Sequence, residues 1–183
     1  LKDIPLSEHY DQFAFVSQDN YLFDDTVREN IRMGRQGATD AEVERAARAA
    51  GAHDFIERLP QGYDTPAGEA GARLSGGERQ RITIARAILK DADVVILDEA
   101  TAYADPESEA AVQRAIEKLV AGKTLVTIAH RLSTVVGADQ IVVMDEGRVA
   151  ACGKHEILLG SCLLYARMWA EHTGSLPDDS EEG

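Results

Sequence analysis

Two adjacent carboxylates, Asp98 and Glu99, follow the apolar run of residues 94–97. Neighbouring acids repel each other, and partial burial makes such a pair costly unless a cation lies nearby. Because successive side chains of an extended segment point in different directions, one carboxylate can face a metal ion while the other polarises a water molecule. The alternative is an exposed turn with two solvated acids. The position after an apolar strand favours the metal-and-water site.

A second candidate site is the segment Ser75-Gly76-Gly77, which directly precedes a predicted helix. The positive N-terminal end of a helix and its free backbone N–H groups can bind an anion. Arg79 and Arg81 lie in the first turn, where the helix dipole disfavours cations. A plain serine N-cap with a glycine turn explains the same residues. Taken alone, this segment leaves both interpretations open.

Gln18 and His130 also come shortly after apolar runs of the sequence. A lone Gln or His is more often structural than functional. At the end of a strand, however, a His side chain can donate a hydrogen bond to a phosphate or orient a water molecule. A Gln side chain in the same setting can position water or a metal ion.

The elements that must position these residues alternate between strands and helices. Apolar runs predict buried strands at residues 13–16, 94–97 and 124–128. Alternation of this kind predicts an α/β fold with a mostly parallel sheet. Such sheets bind ligands beyond the carboxyl ends of their strands, which is where Gln18, Asp98, Glu99 and His130 occur.

Helix signals separate the strands. They predict helices at residues 26–33, 41–50 (capped by Asp40), 53–59, 78–89, 106–120 and 163–172, with a loop at 60–77 and a hairpin at 140–151. We predict one domain over residues 1–172, with a helical subdomain at about 26–90. The acidic residues 173–183 are predicted to be disordered.

Composition narrows the classes of function. The 183 residues carry a net charge of −13, which argues against nucleic acid as a partner. Cys152 and Cys162 belong to no metal-binding motif, and no apolar run approaches the roughly 20 residues of a membrane helix. Gly122-Lys123-Thr124 imitates the end of a P-loop, but Glu117 occupies the position of its first glycine.

Together these motifs resemble the ATP-binding-cassette (ABC) ATPase family. LSGGERQRITIARAIL (74–89) resembles its signature motif, with Glu78 in place of the commoner Gln, and VVILDEAT (94–101) resembles its Walker B strand. Gln18 matches the Q-loop glutamine, Asp105 the D-loop, and TIAHRLST (127–134) the switch-histidine segment. The resemblance implies a P-loop NTPase-like ABC fold, with a parallel sheet and a helical subdomain.

The resemblance also implies roles in the hydrolysis of ATP with Mg²⁺. Glu99 is expected to act as general base and Asp98 to hold Mg²⁺, mostly through water. Gln18 is expected to contact Mg²⁺ and to link the site to a transmembrane domain. His130 is expected to contact the γ-phosphate.

The family forms head-to-tail dimers of two nucleotide-binding domains. The resemblance implies that Ser75, Gly76 and Gly77, with Glu78 beside them, bind the γ-phosphate of ATP held by the opposite subunit. Asp105 is expected to couple the two sites.

The loop of residues 65–71 and the segment FDDTVRENIRMG resemble exporter-type members, with Ala67 in place of the usual Val. This implies contact with a transmembrane domain at the cytoplasmic face of a bacterial membrane. The segment ATAYADPESE resembles transporters of iron–siderophore systems.

The family's Walker A is expected upstream of residue 1, so we predict that the chain alone is inactive and exposes a sheet edge. A soluble, non-transport ABC ATPase and a non-catalytic cassette that only binds a partner are the alternatives.

Overall fold

The computed structural model describes residues 11–98, 106–129 and 132–174. The chain divides into a first unit, Leu1–Ile128, and a second unit, Ala129–Gly183. A single domain over residues 1–172 stays a prediction. Most of the acidic tail, residues 175–183, lies outside the described residues.

The first unit contains the predicted parallel sheet. Its strands are β1 (Phe13–Val16), β2 (Val94–Asp98) and β3 (Thr124–Ile128), in the order β1-β2-β3. β1 and β3 each pair in parallel with the central strand β2. The β-branched and aromatic residues of these runs suit a pleated, partly buried surface. The predicted strands and their parallel arrangement are therefore confirmed.

The first unit also contains five helices among its described residues. They are α1 (Val27–Arg32), α2 (Asp40–Ala49), α3 (His53–Glu57), α4 (Gly76–Lys90) and α5 (Pro106–Val120). The predicted loop at 60–77 contains two 3₁₀ turns, Gly62–Asp64 and Glu69–Gly71. The main hydrophobic core joins Val16 of β1 and Val95 of β2 to Ile84 of α4 and Ile116 of α5.

Three predicted helix starts are wrong by one or two residues. α1 begins at Val27, and Thr26 is its N-cap. Thr39, not Asp40, is the N-cap of α2, because its side chain accepts from the Glu42 N–H and the Glu42 carboxylate accepts from the Thr39 N–H. α4 begins at Gly76 rather than at Glu78, since Ser75 makes the same reciprocal capping box.

The predicted burial of β3 is also wrong. Every residue of β3 is exposed, and the side chains of Leu125, Val126 and Ile128 are 43%, 47% and 49% accessible. In the part of the chain that the structure describes, β3 pairs only with β2 and forms the edge of the sheet. In β2, Val95 and Leu97 are buried, whereas Val94 and Ile96 are only half-buried.

The second unit is built on the predicted hairpin. β4 (Ile141–Asp145) and β5 (Arg148–Gly153) pair antiparallel, and α6 (His155–Ser161), which the sequence analysis missed, and α7 (Leu163–Thr173) follow. Val143, Leu158 and Tyr165 form its core. Among the described residues, no helix is both long and apolar enough to cross a membrane.

Candidate functional site

The carboxyl ends of the three parallel strands finish at nearly the same level. Val16, the last residue of β1, lies beside Leu97, and Asp98, the last residue of β2, lies beside Ile128. Gln18 follows β1 by two residues and is exposed, while Asp98 is half-buried. The structure therefore brings Gln18 and Asp98 to the same edge of the sheet, as predicted. Glu99, Asp105 and His130 lie outside the described residues.

A tight turn at residues 17–20 contains Gln18. The Asn20 N–H points to the Ser17 carbonyl at 3.4 Å, and the Asn20 side-chain amide donates to the Gln18 carbonyl at 3.0 Å. Asn20 has a φ of 46°, a left-handed conformation that Asn tolerates better than most residues. Its Oδ1 accepts from the Thr83 hydroxyl at 3.0 Å. Thus a buried carboxamide links the backbone at Gln18 to α4.

The start of α4 contains the predicted anion-binding segment. Ser75 is exposed, Gly76 is half-buried and Gly77 is buried. The Ser75 N–H and hydroxyl both donate to the Glu78 carboxylate at 2.8 Å, and the Glu78 N–H donates to Ser75 Oγ at 3.3 Å. The simple cap that the sequence left open is thus present. It also places a negative charge beside the backbone that was predicted to receive a phosphate.

The cations of the first turns of α4 serve the fold. Arg79 turns back and donates to the Leu74 carbonyl at 2.7 Å. The Arg81 guanidinium lies over the Phe55 ring, 5.0 Å from its centroid. Both arginines thus make contacts within the first unit.

The loop of residues 65–71 is joined to the segment that follows Gln18. The Val27 N–H donates to the Thr65 carbonyl at 3.0 Å, and the Ala67 N–H donates to the Asp25 carbonyl at 2.9 Å. Ala67 is buried, so this position packs inward. At the other end of the loop, Gly71 has a φ of 75°. These contacts position the loop next to the exit from the Gln18 turn.

Asn30 and Arg86 are structural determinants of this region that the sequence analysis did not select. Asn30 is fully buried in α1, and the Arg86 Nε donates to its carbonyl at 2.8 Å. Burial lowers the pKa of Arg86. A signal was available, since Val27, Asn30 and Ile31 follow helical spacing on the buried face of α1.

The donors at the sheet edge fit a hard divalent cation. The Asp98 carboxylate and the Gln18 side-chain carbonyl are oxygen ligands of the kind that Mg²⁺ prefers. Among residues 11–98, 106–129 and 132–174, no cluster of three His, Cys, Asp or Glu side chains could hold a metal. Mg²⁺ in nucleotide sites needs only one or two carboxylates, with phosphate and water supplying the other ligands.

The comparison with protein families decides the assignment. The profile of the family described as "ABC transporter" matches residues 1–102, more than half of the chain. The chain belongs to the ABC transporter family. Within the match are the Gln18 turn, the start of α4 and the end of β2. The resemblance inferred from the motifs is confirmed.

Relatives of this ABC chain include a flippase and an ATP-binding cassette protein. It is 54% identical over 159 residues to the ATP-dependent lipid A-core flippase of Syntrophus aciditrophicus, covering 87% of this chain and 26% of the flippase. It is 53% identical over 169 residues to ATP-binding cassette sub-family B member 6 of Mus musculus, covering 92% of this chain and 20% of the mouse protein. The ABC chain thus spans about a quarter of the length of these relatives.

A solved structure also resembles this ABC chain. A bacterial Atm1-family ABC exporter with ATP bound aligns with a TM-score of 0.79 and 43% identity, over 96% of this chain and 30% of the exporter chain. The predicted α/β ABC fold and the exporter-type resemblance are both confirmed.

Proposed function

We propose that this chain is part of the nucleotide-binding domain of an ABC exporter and contributes residues that couple ATP hydrolysis to transport across a membrane. One observation carries the proposal. The strand register brings Gln18 and Asp98 to the same edge of a parallel sheet, in a chain that belongs to the ABC transporter family.

Asp98 and Gln18 are the proposed residues toward Mg²⁺. When bound, Mg²⁺ neutralises negative charge on the phosphate oxygens of ATP. Asp98 is half-buried at the end of β2, where strand pairing fixes its backbone, and it orients the metal mostly through water. Gln18 lies on an exposed turn, which suits a residue that contacts both the metal and the membrane part.

Glu99 and His130 complete the proposed hydrolytic site. Glu99 accepts a proton from the attacking water, and His130 donates a hydrogen bond to the terminal phosphate. Both roles rest on the motifs that resemble Walker B and the switch histidine.

The start of α4 is the proposed contact with a second nucleotide-binding domain. The backbone at Ser75, Gly76 and Gly77, next to Glu78, faces the γ-phosphate of ATP bound to the opposite subunit. Asp105 couples the two sites of the head-to-tail dimer. The exposure of Ser75 supports this role, because a partner can approach it directly.

The Gln18 turn and the loop of residues 65–71 are the proposed contacts with a transmembrane domain at the cytoplasmic face. Their backbone connection through Asp25 and Val27 supports a shared contact region. On the segment ATAYADPESE alone, we propose an iron–siderophore complex as the transported substrate.

The test compares ATP hydrolysis by the full-length protein with that of residues 1–183. We expect Mg²⁺-dependent turnover only from the full-length protein, because no GxxxxGK[ST] pattern occurs in residues 1–183. Asp98→Asn and Glu99→Gln in the full-length protein should each lower turnover roughly 100-fold or more.

Asp93 is exposed and directly precedes β2, at the opposite end of the strand from Asp98. It is the matched control, and Asp93→Asn should leave turnover unchanged. Full activity of Asp98→Asn contradicts the proposed site. Full activity of residues 1–183 alone contradicts the need for a P-loop elsewhere. A full-length protein that binds its partner without hydrolysing ATP indicates a partner-binding module.

A further inference from the structure

We infer that Asn20 and Thr83 are a positioning pair that ties the backbone of Gln18 to α4. The functional part of this inference rests on the role of Gln18 in the proposed function. The structural part rests only on contacts within the first unit.

Both polar atoms of the Asn20 carboxamide make hydrogen bonds. Its Nδ2 donates to the Gln18 carbonyl at 3.0 Å, and its Oδ1 accepts from the Thr83 hydroxyl at 3.0 Å. Asn20 and Thr83 are only 8% and 7% exposed. Because water has little access to this pair, a lost partner leaves a polar group without replacement. The side chain therefore forms a short bridge between the turn and the helix.

Thr83 lies two turns after Gly76 on the buried side of α4. Its hydroxyl is also 2.8 Å from the Gln80 carbonyl of the same helix. With a single proton, the hydroxyl is shared between the helix carbonyl and Asn20. This sharing fixes the side-chain rotamer of Thr83 and aims its oxygen at the turn.

Gln18 is also joined to β1 through the backbone at Ser17. The strand pairing ends at Val16, and only Ser17 separates Val16 from Gln18. The backbone contact across the turn, from the Asn20 N–H to the Ser17 carbonyl, is 3.4 Å long, beyond the ordinary 2.7–3.2 Å range. The Asn20 side chain adds a second attachment, which runs from the Gln18 carbonyl to Thr83 of α4.

A further contact extends this attachment along the chain. Arg86, one turn after Thr83 on α4, donates from Nη1 to the Tyr21 carbonyl at 3.4 Å. This contact is as long as the one from the Asn20 N–H to the Ser17 carbonyl, so the attachment to the helix that begins after Ser75 depends on Asn20 and Thr83. A displacement of that helix end, as when a phosphate is engaged there, moves Gln18 with it.

The test uses the full-length protein and two matched changes at Thr83. Thr83→Val removes the hydroxyl and keeps the shape, whereas Thr83→Ser keeps the hydroxyl. We expect Thr83→Val to raise the Mg²⁺ concentration for half-maximal ATP hydrolysis roughly 2- to 10-fold, the factor expected for one hydrogen bond, with the KM for ATP at saturating Mg²⁺ unchanged. Thr83→Ser should restore the wild-type Mg²⁺ dependence.

A stability cycle tests the bridge without any activity. Asn20→Gly removes the carboxamide and tolerates the positive φ, so it is combined with Thr83→Val. The unfolding temperature of the double variant should fall by less than the sum of the two single-variant decreases. We expect the difference between the sum and the observed decrease to be about 2–4 °C. Asn20→Asp keeps the acceptor for Thr83 but replaces the donor to Gln18, so it should reproduce the Mg²⁺ effect of Thr83→Val.

The outcomes separate the two proposals. Additive unfolding temperatures refute the bridge. Coupled stabilities with unchanged Mg²⁺ dependence show a purely structural contact and overturn the positioning role. Wild-type full-length protein without Mg²⁺-dependent turnover refutes the proposed function instead, and the cycle then decides the structural link by itself.

Discussion

The side chain of Asn30 pairs with both backbone polar groups of Phe23. The Phe23 N–H donates to Asn30 Oδ1 at 2.8 Å, and Asn30 Nδ2 donates to the Phe23 carbonyl at 3.0 Å. The same Nδ2 lies 3.0 Å from the Thr26 carbonyl. One fully buried carboxamide on α1 therefore fixes the segment between the Gln18 turn and the helix.

Asn30→Ala should lower the free energy of unfolding by about 2 kcal/mol, because it removes the hydrogen bonds that a fully buried carboxamide makes to the Phe23 backbone. Denaturant unfolding of the full-length protein measures the change. The control is Gln36→Ala, since Gln36 is exposed. Equal stability of the two variants contradicts the role of Asn30.

Gly34 is required by a close approach of backbone rather than by its φ. A Cβ at this position meets the Arg86 carbonyl oxygen at 2.1 Å, and a backbone atom cannot move aside as a flexible side chain does. Gly34→Ala should destabilise the first unit by about 2–3 kcal/mol. Gly160→Ala is the control, because a Cβ there has no neighbour within 4 Å, and it should be neutral or slightly stabilising.

The stability of the folded protein should depend on pH in the alkaline range because of Tyr63. Burial raises the pKa of its hydroxyl to about 12, and the charge of Glu44 adds to the rise. The tyrosine hydroxyl loses its proton near pH ~10 in the unfolded chain, whereas the folded protein keeps the proton until the pH reaches the higher folded pKa. The stabilisation is complete below pH ~10 and is lost as the pH rises through the folded pKa.

The matched variant is Tyr63→Phe, which has no hydroxyl to titrate. Its unfolding temperature should fall less steeply than that of the wild type across that alkaline window, and tyrosinate absorbance should identify the group. At neutral pH, Tyr63→Phe should be less stable, because it loses the 2.9 Å hydrogen bond to His53 Nδ1. Parallel pH profiles of the two proteins contradict this assignment.

Glu78 stabilises the start of α4 but should weaken phosphate binding there. Its carboxylate completes the capping box with Ser75, but it also adds negative charge where a phosphate is proposed to bind. Glu78→Gln keeps the box and removes the charge, so the ATP concentration for half-maximal turnover should fall about 2- to 5-fold. Glu78→Ala removes both and should destabilise α4 by about 1 kcal/mol. A higher ATP requirement for Glu78→Gln argues against phosphate binding at Ser75.

The exposed β3 edge predicts self-association of residues 1–183 when they are produced alone. Val126 is 47% accessible on a strand paired only with β2 in the described part of the chain. Val126→Lys should lower the apparent mass in light scattering, because a charge on an edge strand opposes further pairing. Val95→Lys, at a fully buried position of β2, should unfold the protein instead. A wild-type chain that stays monomeric at high concentration contradicts self-association through β3.

Sequence reasoning succeeded where local chemistry decides the structure. Apolar runs located β1, β2 and β3, and turn residues located the hairpin between β4 and β5. It placed the α2 cap one residue too late, since Asp40 and Thr39 are both good capping residues and only the geometry chooses between them. It also missed α6, which has few turns and no side-chain cap.

Burial could not be predicted in the same way. The apolar run of β3 resembles that of β2, yet β3 is exposed because burial depends on which elements lie beside a strand. Likewise, nothing near Asn20 in the sequence indicates Thr83, which is 63 residues away.

The sequence by itself determined the family, the order of the elements and the residue types available for nucleotide chemistry, because motifs and hydrophobic periods are local properties of the chain. Tertiary structure alone decided that Gln18 and Asp98 share one edge of the sheet and that Asn20 meets Thr83. Such relationships depend on strand register and helix packing, which bring together residues that are distant along the chain.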